Sequence, residues 1–371
     1  MGIRHLSIHQ FRLFSDIEFS PSPDLNIIHG PNASGKTSVL EAICILSRGR
    51  SFRTNNIKHA VKAGSEKFQL IAKIDSLDRQ VYVGMERGMS HFEVRFDGQQ
   101  VKKISDLSAQ IPVQVIQPDS HKIIEEGPEL RRRYLDWGVF HLHHSFSVSH
   151  SNYLKNLRQR NAALKSKHPV ELVKAWDVEL IKAANEIDQQ RKHYLEQLNQ
   201  VLPPLLANQL GKFDFSMNYY PGWNRDYSFE EALFNNLPKD LEAGFTSVGP
   251  HRADLKLSVD GIPAAEKISR GQQKILVTTM LLAQAILYNQ QQACSQQSQC
   301  ILLIDDVAAE LDETHRKKLI QVLDENQFQL FVTSITPGKL WDRYTKNQLR
   351  IDLNRKCGTH AGGAHRAPSG A

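Results

Sequence analysis

Hydrophobic and polar positions alternate differently along the chain, and the change divides it into strand-rich ends and a helical middle. Near the start, HLSIHQF and DIEFS alternate apolar and polar residues as paired strands do, and LNIIHG predicts a short buried strand that ends at a glycine. The segment KTSVLEAICILSRG then has apolar residues at helical spacing, namely Val39, Leu40, Ile43 and Leu46. The pattern predicts a strand, a glycine-rich loop and a helix in that order.

The rest of the chain continues this division. Strands are predicted between 66 and 117 in KFQLIAKI, RQVYVGME, HFEVRFDG and VQVIQ, and long helical segments from about 120 to 240. Short strands return near 244 in GFTSVG and ADLKLSVDG. They are followed by a helix in SRGQQKILVTTMLLAQAILYN and a buried strand in CILLIDD, which ends in two carboxylates.

We interpret this order as an α/β domain assembled from both ends of the chain. Residues 1–118 and 244–356 form this head, with a β-rich lobe beside the phosphate-loop sheet, and residues 119–243 form a helical insert. The tail 357–371 is rich in glycine, alanine and histidine and is expected to be disordered.

The composition fits a globular protein without a membrane span. The chain has 371 residues, of which 40% are hydrophobic and 23% charged. It lacks an apolar run of about eighteen residues, the apolar core of a signal peptide, and any C-x-x-C spacing. We expect a cytoplasmic protein. The net charge of +6 is weak support for a nucleic-acid partner, because the location of charge matters more than its sum.

The stretch GPNASGKTS has the spacing of a phosphate-binding loop between a strand and a helix. Glycines allow backbone N–H groups to approach a polyphosphate, and the following helix dipole favours negative charge. Lys36 supplies a charge to the β and γ phosphates, and the Thr37 hydroxyl can bind Mg²⁺. The predicted ATP-binding residues are Gly30, Pro31, Asn32, Ala33, Ser34, Gly35, Lys36, Thr37 and Ser38.

The two carboxylates after ILLI complete the predicted site. Mg²⁺ needs a further carboxylate, usually at the end of a neighbouring buried strand, and Asp305 is the candidate. Asp306 would point toward the γ-phosphate and orient the attacking water, so Asp306 and Lys36 are the predicted catalytic residues.

The motifs together resemble the ATP-binding-cassette (ABC) and SMC superfamily, and within it the RecF family of bacterial recombination mediators. The resemblance rests on seven segments in order: FRLFSDIEF, LNIIHGPNASGKTSVLEAICILSRGRSFRT, EEGPELRRRYLDWG, LRQRNAALK, SVGPHRADL, SRGQQK and IDDVAAELD. It implies an ABC-type ATPase head and an ATP-dependent DNA-binding protein that loads at gaps and single-strand/double-strand junctions, with RecR and RecO as partners.

The same resemblance implies a site shared by two subunits. The signature residues Ser269, Arg270, Gly271 and Gln272 of one subunit would cover the γ-phosphate held by the loop of the other, with Asp312 at the same seam. The chain departs from the family at Ser38, often Asn, and at Ala253, usually Asp. No histidine follows FVTSIT, so Thr333 or Thr336 is the candidate counterpart of the switch histidine. Gln114 or Gln117 is the candidate lid glutamine that senses Mg²⁺, and Gln117 is the one included among the ATP-binding residues.

Basic helical segments are the candidate DNA contacts, because phosphates are bound by lysine and arginine. The candidates are Arg131, Arg132, Arg158, Arg160 and Lys165 in these segments, and Arg53 outside them. A solvated charged face is the alternative interpretation of such runs, and Arg53 could instead reach the γ-phosphate.

Three functions remain open from the sequence. The first is a DNA repair mediator with slow, DNA-stimulated ATPase activity and ATP-driven dimerisation, acting in replication-coupled repair and SOS induction. The second is the ATPase subunit of a membrane transporter, which has the same three motifs but usually a shorter helical subdomain. The third is a DNA clamp that binds ATP without hydrolysing it.

Overall fold

The computed structural model describes residues 2–76, 79–211, 214–292, 299–306, 311–335, 341 and 344–353. The predicted tail 357–371 lies outside these residues. The strands of the described part are β1 (Ile3–Phe11), β2 (Phe14–Phe19), β3 (Leu25–His29), β4 (Lys67–Ser76), β5 (Arg79–Gly88), β6 (Phe92–Phe96), β7 (Gln99–Gln100), β8 (Val113–Ile116), β9 (Phe215–Tyr220), β10 (Asp254–Val259), β11 (Ile262–Pro263), β12 (Ile301–Ile304), β13 (Gln329–Ser334) and β14 (Gln348–Asp352).

The helices of the described part are α1 (Lys36–Arg48), α2 (Ile104–Gln110), α3 (Lys122–Glu125), α4 (Pro128–Leu142), α5 (Phe146–Lys165), α6 (Val170–Lys174), α7 (Asp177–Leu210), α8 (Phe229–Asn235), α9 (Leu237–Ala243), α10 (Ala264–Lys267), α11 (Arg270–Gln292) and α12 (Glu313–Glu325). The chain divides into two compact units. The first is Met1–Asp119 with Ala285–Ala371, and the second is Ser120–Gln284.

A parallel five-stranded sheet in the first unit has the order β14-β3-β13-β12-β8. Strands β3, β12 and β13 are almost wholly buried and have runs of apolar residues, as strands covered on both faces do. The strands run parallel, so their carboxyl ends lie at one edge of the sheet. This edge receives the phosphate loop after β3, the two aspartates after β12 and Gln117 after β8.

An antiparallel six-stranded sheet, β2-β1-β4-β5-β6-β7, forms the β-rich lobe of the first unit. The apolar residues of α1 belong to one buried cluster with residues of both sheets. Helix α1 ends at Gly49, whose φ of 63° is the left-handed conformation common after a helix. Because α1 follows the phosphate loop directly, this packing fixes the position of the loop.

The second unit is mainly helical and also contains the three-stranded sheet β11-β10-β9. Its helices α5 and α7 pack against each other, and α4 packs against β10. The division places the end of this unit at Gln284, whereas the sequence placed the return to the head at 244. The difference arises because β10 pairs with β9, and because the Tyr134 hydroxyl of α4 donates to the carbonyl of Met280 in α11.

Two local predictions were wrong. GFTSVG is irregular rather than a strand, and the strand β9 lies inside the stretch predicted to be helical. The phenylalanine and two tyrosines of FSMNYY, between Gly211 and the Pro-Gly pair at 221–222, are the signal that could have indicated β9.

Candidate nucleotide-binding site

The phosphate loop has a backbone that requires its glycines. Gly30 has a φ of 152° and Gly35 a φ of 99°, in the positive range that side chains disfavour. A Cβ on Gly35 would lie 2.5 Å from Cζ of Phe14, so any side chain there would collide with the ring. Pro31, Asn32 and Ala33 are exposed at the rim of the loop. The first N–H groups of α1, which have no intrahelical partners, begin directly after Gly35.

Lys36 folds back over the loop. Its Nζ donates to the carbonyl of Gly30 at 2.9 Å and to the carbonyl of Pro31 at 3.0 Å. The residue is buried, and its ammonium group is held by these two loop carbonyls. A polyphosphate in the loop would offer this ammonium group stronger, charged acceptors than the two carbonyls.

Thr37 and Asp305 bring the two distant halves of the predicted site together. The Thr37 hydroxyl donates to Oδ1 of Asp305 at 3.0 Å, and the Thr333 hydroxyl donates to the same oxygen at 2.9 Å. Burial raises the pKa of Asp305, while the hydrogen bonds from Thr333 and Thr37 and the charge of Arg53 act in the opposite direction. Two residues 268 positions apart therefore form one oxygen-rich site.

Asp306 has an unusual backbone, and one of its carboxylate oxygens has no partner in the part of the chain that the structure describes. Its φ is 48°, and its N–H donates to the Thr333 hydroxyl at 2.8 Å. Oδ1 is buried and has no hydrogen-bond partner among the described residues. Since buried polar atoms are normally hydrogen-bonded, this oxygen is a place where a water or a ligand group fits.

The structure separates the two glutamine candidates for the lid. Gln114 lies within β8 and is buried, and Arg48 donates to its Oε1 at 3.4 Å. Gln117 follows the end of β8 and is partly exposed at the same sheet edge as Asp305, whose N–H donates to the carbonyl of Ile116 at 2.9 Å. The position of Gln117 fits the predicted lid better. Thr336, the alternative to Thr333, lies outside the described residues.

Arg53 lies beside the first turn of α1. Its Nη1 is 3.3 Å from Oε2 of the buried Glu41 and 3.5 Å from Oγ of Ser38. Glu41 also accepts hydrogen bonds from Arg12 and Ser51, so its carboxylate fixes this arginine. The Arg53 side chain is 43% exposed, beside the helix that directly follows the phosphate loop.

The signature residues form the start of α11. Ser269 and Gln272 make a capping box: the Ser269 N–H donates to Oε1 of Gln272 at 3.0 Å, and the Gln272 N–H donates to Oγ of Ser269 at 3.4 Å. Ser269, Arg270 and Gly271 are exposed, so this helix end is accessible to a second molecule.

Asp312 caps a different helix. Its carboxylate accepts the N–H of His315 at 2.9 Å at the start of α12, and Nδ1 of His315 lies 2.6 Å from its other oxygen. These hydrogen bonds from the backbone and side chain of His315 lower the pKa of Asp312. Asp312 is exposed at the start of a helix.

Comparison with known proteins identifies the family. The model of the RecF/RecN/SMC N-terminal domain matches residues 2–356. The DNA replication and repair protein RecF of Shewanella pealeana is 38% identical over 92% of this chain and 94% of its own length, and RecF of Shewanella frigidimarina is equally similar. The chain belongs to the RecF family.

Solved structures agree with this assignment. The chain is similar to a structure described as the recombination mediator protein RecF-ATPrS in the RecFOR pathway. The TM-score is 0.83, the identity is 25%, and 94% of this chain and 96% of that chain are covered. An Smc head bound to the C-winged helix domain of ScpA matches with a TM-score of 0.56 at 15% identity, over 94% of each chain. The predicted ABC-type α/β head with a helical part is therefore confirmed for this RecF-family chain.

The structure contradicts one of the predicted DNA contacts. Arg160 is 0% exposed and donates to Asp177, Asp240 and Thr246, each at 2.8 Å. A buried guanidinium needs acidic and polar partners of this kind, and it is not accessible to DNA. Arg160 is therefore a structural residue. Its place could have been predicted: with Tyr153, Leu157 and Leu164 it forms an apolar-spaced stripe on α5.

Arg131 and Arg132 are also used within the protein. Arg131 makes a bidentate ion pair with Asp254, with N–O distances of 2.7 and 3.1 Å, and Arg132 donates to the carbonyl of Ala253 at 2.8 Å. Arg158 and Lys165 are exposed on α5 and remain candidates for DNA contact.

Among the residues that the structure describes, no helix is long and apolar enough to span a membrane.

Proposed function

We propose that this chain is an ATP-dependent, DNA-binding recombination mediator that acts at single-strand gaps and single-strand/double-strand junctions. It works in the cytoplasm in replication-coupled repair and SOS induction. The observation that carries the proposal is the hydrogen bond between Thr37 and Asp305, which assembles a nucleotide site from both ends of a RecF-family chain. The similarity to a RecF described with ATPrS supports ATP as the nucleotide.

The residues of the first unit divide the work of holding ATP. The loop N–H groups and the start of α1 bind phosphate oxygens, and Lys36 exchanges its two carbonyl acceptors for the β and γ phosphates. Arg53 is held by Glu41 close enough to add positive charge on the same side. Gln117 closes the sheet edge as the lid.

The residues at the sheet edge fit a magnesium ion. Thr37 Oγ1 and Asp305 Oδ1 are hard oxygen donors 3.0 Å apart, and Mg²⁺ typically takes one or two protein oxygens besides water and substrate phosphates. When bound, the ion would neutralise charge on the β and γ phosphates. Asp306, whose Oδ1 has no partner among the described residues, orients the attacking water. Turnover is slow because aspartate is one methylene shorter than the glutamate more common in the superfamily.

Two subunits are needed for a complete site. ATP held by one loop is covered by Ser269, Arg270, Gly271 and Gln272 of a second copy, with Asp312 at the seam. The exposure of Ser269 and Gly271 at a helix start supports this, since N–H groups there bind phosphate oxygens well. ATP therefore drives a twofold homodimer in which both sites are identical.

DNA and the partners RecR and RecO complete the proposal. The naming of the RecFOR pathway for a similar structure supports these partners. Arg158 and Lys165 on α5 contact phosphates, and Arg53 is better placed for the nucleotide. The transporter alternative is disfavoured by the similarity to DNA replication and repair proteins, and it would require tight association with a membrane-spanning partner. Turnover on DNA separates a slow ATPase from a non-hydrolysing clamp.

The proposal is tested by binding to gapped, single-stranded and blunt duplex DNA with and without ATP, at stated salt concentrations. Tighter binding to gapped DNA that depends on ATP is the expected result. Equal binding to all three substrates, with no effect of ATP, would contradict the proposed function.

A further inference from the structure

Gln273, the residue after the signature, is buried, whereas Gln272 and Lys274 on either side of it are partly exposed. Its side chain is 3% exposed, and Nε2 donates to the carbonyl of Ala265 at 3.3 Å and to the carbonyl of Ile268 at 3.2 Å. Its oxygen has no hydrogen-bond partner among the described residues. Because both partners are carbonyl oxygens, the Gln273 side chain acts here as a hydrogen-bond donor.

These bonds join two helices across the signature turn. Ala265 lies in α10, Ile268 is the residue between α10 and Ser269, and Gln273 lies in the first turn of α11. The backbone N–H of Gln273 also donates to the carbonyl of Ser269 at 2.8 Å. A single glutamine thus holds Ala265 and Ile268, which precede Ser269, and the carbonyl of Ser269 itself.

The capping box holds Ser269 from the other side. Gln272 accepts the Ser269 N–H with its side chain and donates its own N–H to the Ser269 hydroxyl. The hydroxyl can still donate its hydrogen to an external acceptor, because a hydroxyl both accepts and donates. Consecutive glutamines therefore hold the turn from its exposed and its buried side.

We propose that Gln273 is a positioning residue for the signature: it holds the α10–α11 turn so that Ser269 and the Gly271 N–H present their donors to the phosphate of a second subunit. The inference rests on the proposed shared site and deepens it. Gln273 does not touch the nucleotide. A change at Gln273 should therefore weaken dimer formation and leave the binding of ATP by a single subunit unchanged.

The test compares two buried glutamines of the same helix. Gln273→Met keeps the side-chain length and removes the N–H donors. Gln284→Met is the matched control. Gln284 is 1% exposed and donates to the carbonyl of Tyr134 and to the hydroxyl of Tyr194, both at 2.8 Å, about three helical turns from the signature. Both variants lose two neutral hydrogen bonds, so their thermal unfolding midpoints should fall by similar amounts.

Dimerisation with ATP is measured by analytical ultracentrifugation, and monomer affinity by titration of a fluorescent ATP analogue at low protein concentration. We expect Gln273→Met to weaken the dimer by about tenfold, the order expected for about one lost hydrogen bond, with unchanged monomer affinity. Gln284→Met should dimerise like the wild type. If Gln273→Met does not fold, Gln273→Asn, which moves the donors back by one methylene, should show the same selective loss.

Equal dimerisation of the wild type and the Gln273 variant would overturn the inference. So would equal losses in the Gln273 and Gln284 variants, because a general loss of stability would then explain both. Failure of the wild type to dimerise with ATP would instead overturn the proposed function on which the inference rests.

Discussion

The Thr333 hydroxyl donates a hydrogen bond to Oδ1 of Asp305 at 2.9 Å. Thr333 lies near the end of β13, which is between β3, the strand before the phosphate loop, and β12, the strand before the two aspartates. The same hydroxyl accepts the N–H of Asp306 at 2.8 Å. Its one hydrogen is used on Asp305, so we infer that Thr333 positions both aspartates and does not bind the γ-phosphate as a switch histidine would.

Replacing Thr333 with valine keeps the branched shape and removes this hydroxyl. We expect ATP hydrolysis to fall about tenfold, since a buried carboxylate loses a donor, while ATP binding without Mg²⁺ stays unchanged. Thr333→Ser, which keeps the hydroxyl, is the control and should retain most of the activity. Steady-state turnover and nucleotide titration measure the two effects. Hydrolysis at the wild-type rate in Thr333→Val would show that the hydroxyl has no positioning role.

The two aspartates should respond differently to the same substitution. Asp305→Asn should weaken the Mg²⁺ dependence of ATP binding, because it removes a charged metal ligand. Asp306→Asn should leave ATP bound and slow its cleavage, because it changes the group that orients water. Lys36→Ala should weaken both binding and hydrolysis. Nucleotide titrations with varied Mg²⁺ and single-turnover assays separate these effects, and rapid cleavage by Asp306→Asn would show that the role assigned to Asp306 is wrong.

Arg158 and Lys165, which are exposed on α5, should make the affinity for DNA depend on salt concentration. Phosphate contacts release counterions, so reversing Arg158 and Lys165 to glutamate should lower affinity for any DNA sequence and reduce the salt slope by about one per lost contact. Lys256→Glu, at an exposed position of β10, is the matched control. An unchanged slope in the double variant would identify these residues as a solvated face.

The sequence could predict the phosphate loop because its chemistry is local. The spacing from Gly30 to Thr37, the preceding apolar strand and the following helix all lie within one short segment. The bond of Thr37 to Asp305 and the position of Thr333 depend on the parallel register of strands far apart in sequence. Only the motif order suggested the first, and nothing local distinguished Thr333 from Thr336.

The basic residues show the opposite limit. Arg158 and Arg160 were treated alike because both lie in one basic helix. Residues two positions apart on a helix face opposite ways, so one is exposed and the other is buried. The number of basic residues does not distinguish these two positions. The spacing of the neighbouring apolar residues does, because it shows which face of the helix is buried.

The partly buried imidazole of His251 makes stability depend on pH. Burial lowers the pKa of His251 to about 4, and the neutral ring suits its partners: Nδ1 accepts from the Tyr153 hydroxyl at 2.6 Å, and the Nε2 proton is donated to the Thr246 carbonyl at 3.1 Å. As pH falls, the unfolded chain binds the proton first. The stabilisation present above about pH 6.5 is therefore lost progressively toward about pH 4.

We expect this residue to contribute up to about 3 kcal/mol to the difference in unfolding free energy between pH 7.5 and pH 4. His251→Gln should show a flatter pH dependence in urea unfolding, even though it is less stable at pH 7.5. A slope equal to that of the wild type would mean that the imidazole binds its proton as readily in the folded protein as in the unfolded chain.

The shared site is the central claim, and mixing two inactive variants tests it most directly. Lys36→Ala damages the loop and Ser269→Arg damages the signature, so each homodimer is inactive. In a mixed dimer, one site combines both damaged parts, and the other combines an intact loop with an intact signature. Sedimentation of differently labelled variants must first establish that the mixed dimer forms. We predict that ATPase activity then reappears on mixing. Clear formation of the mixed dimer without any recovered activity would contradict a site completed by the second subunit.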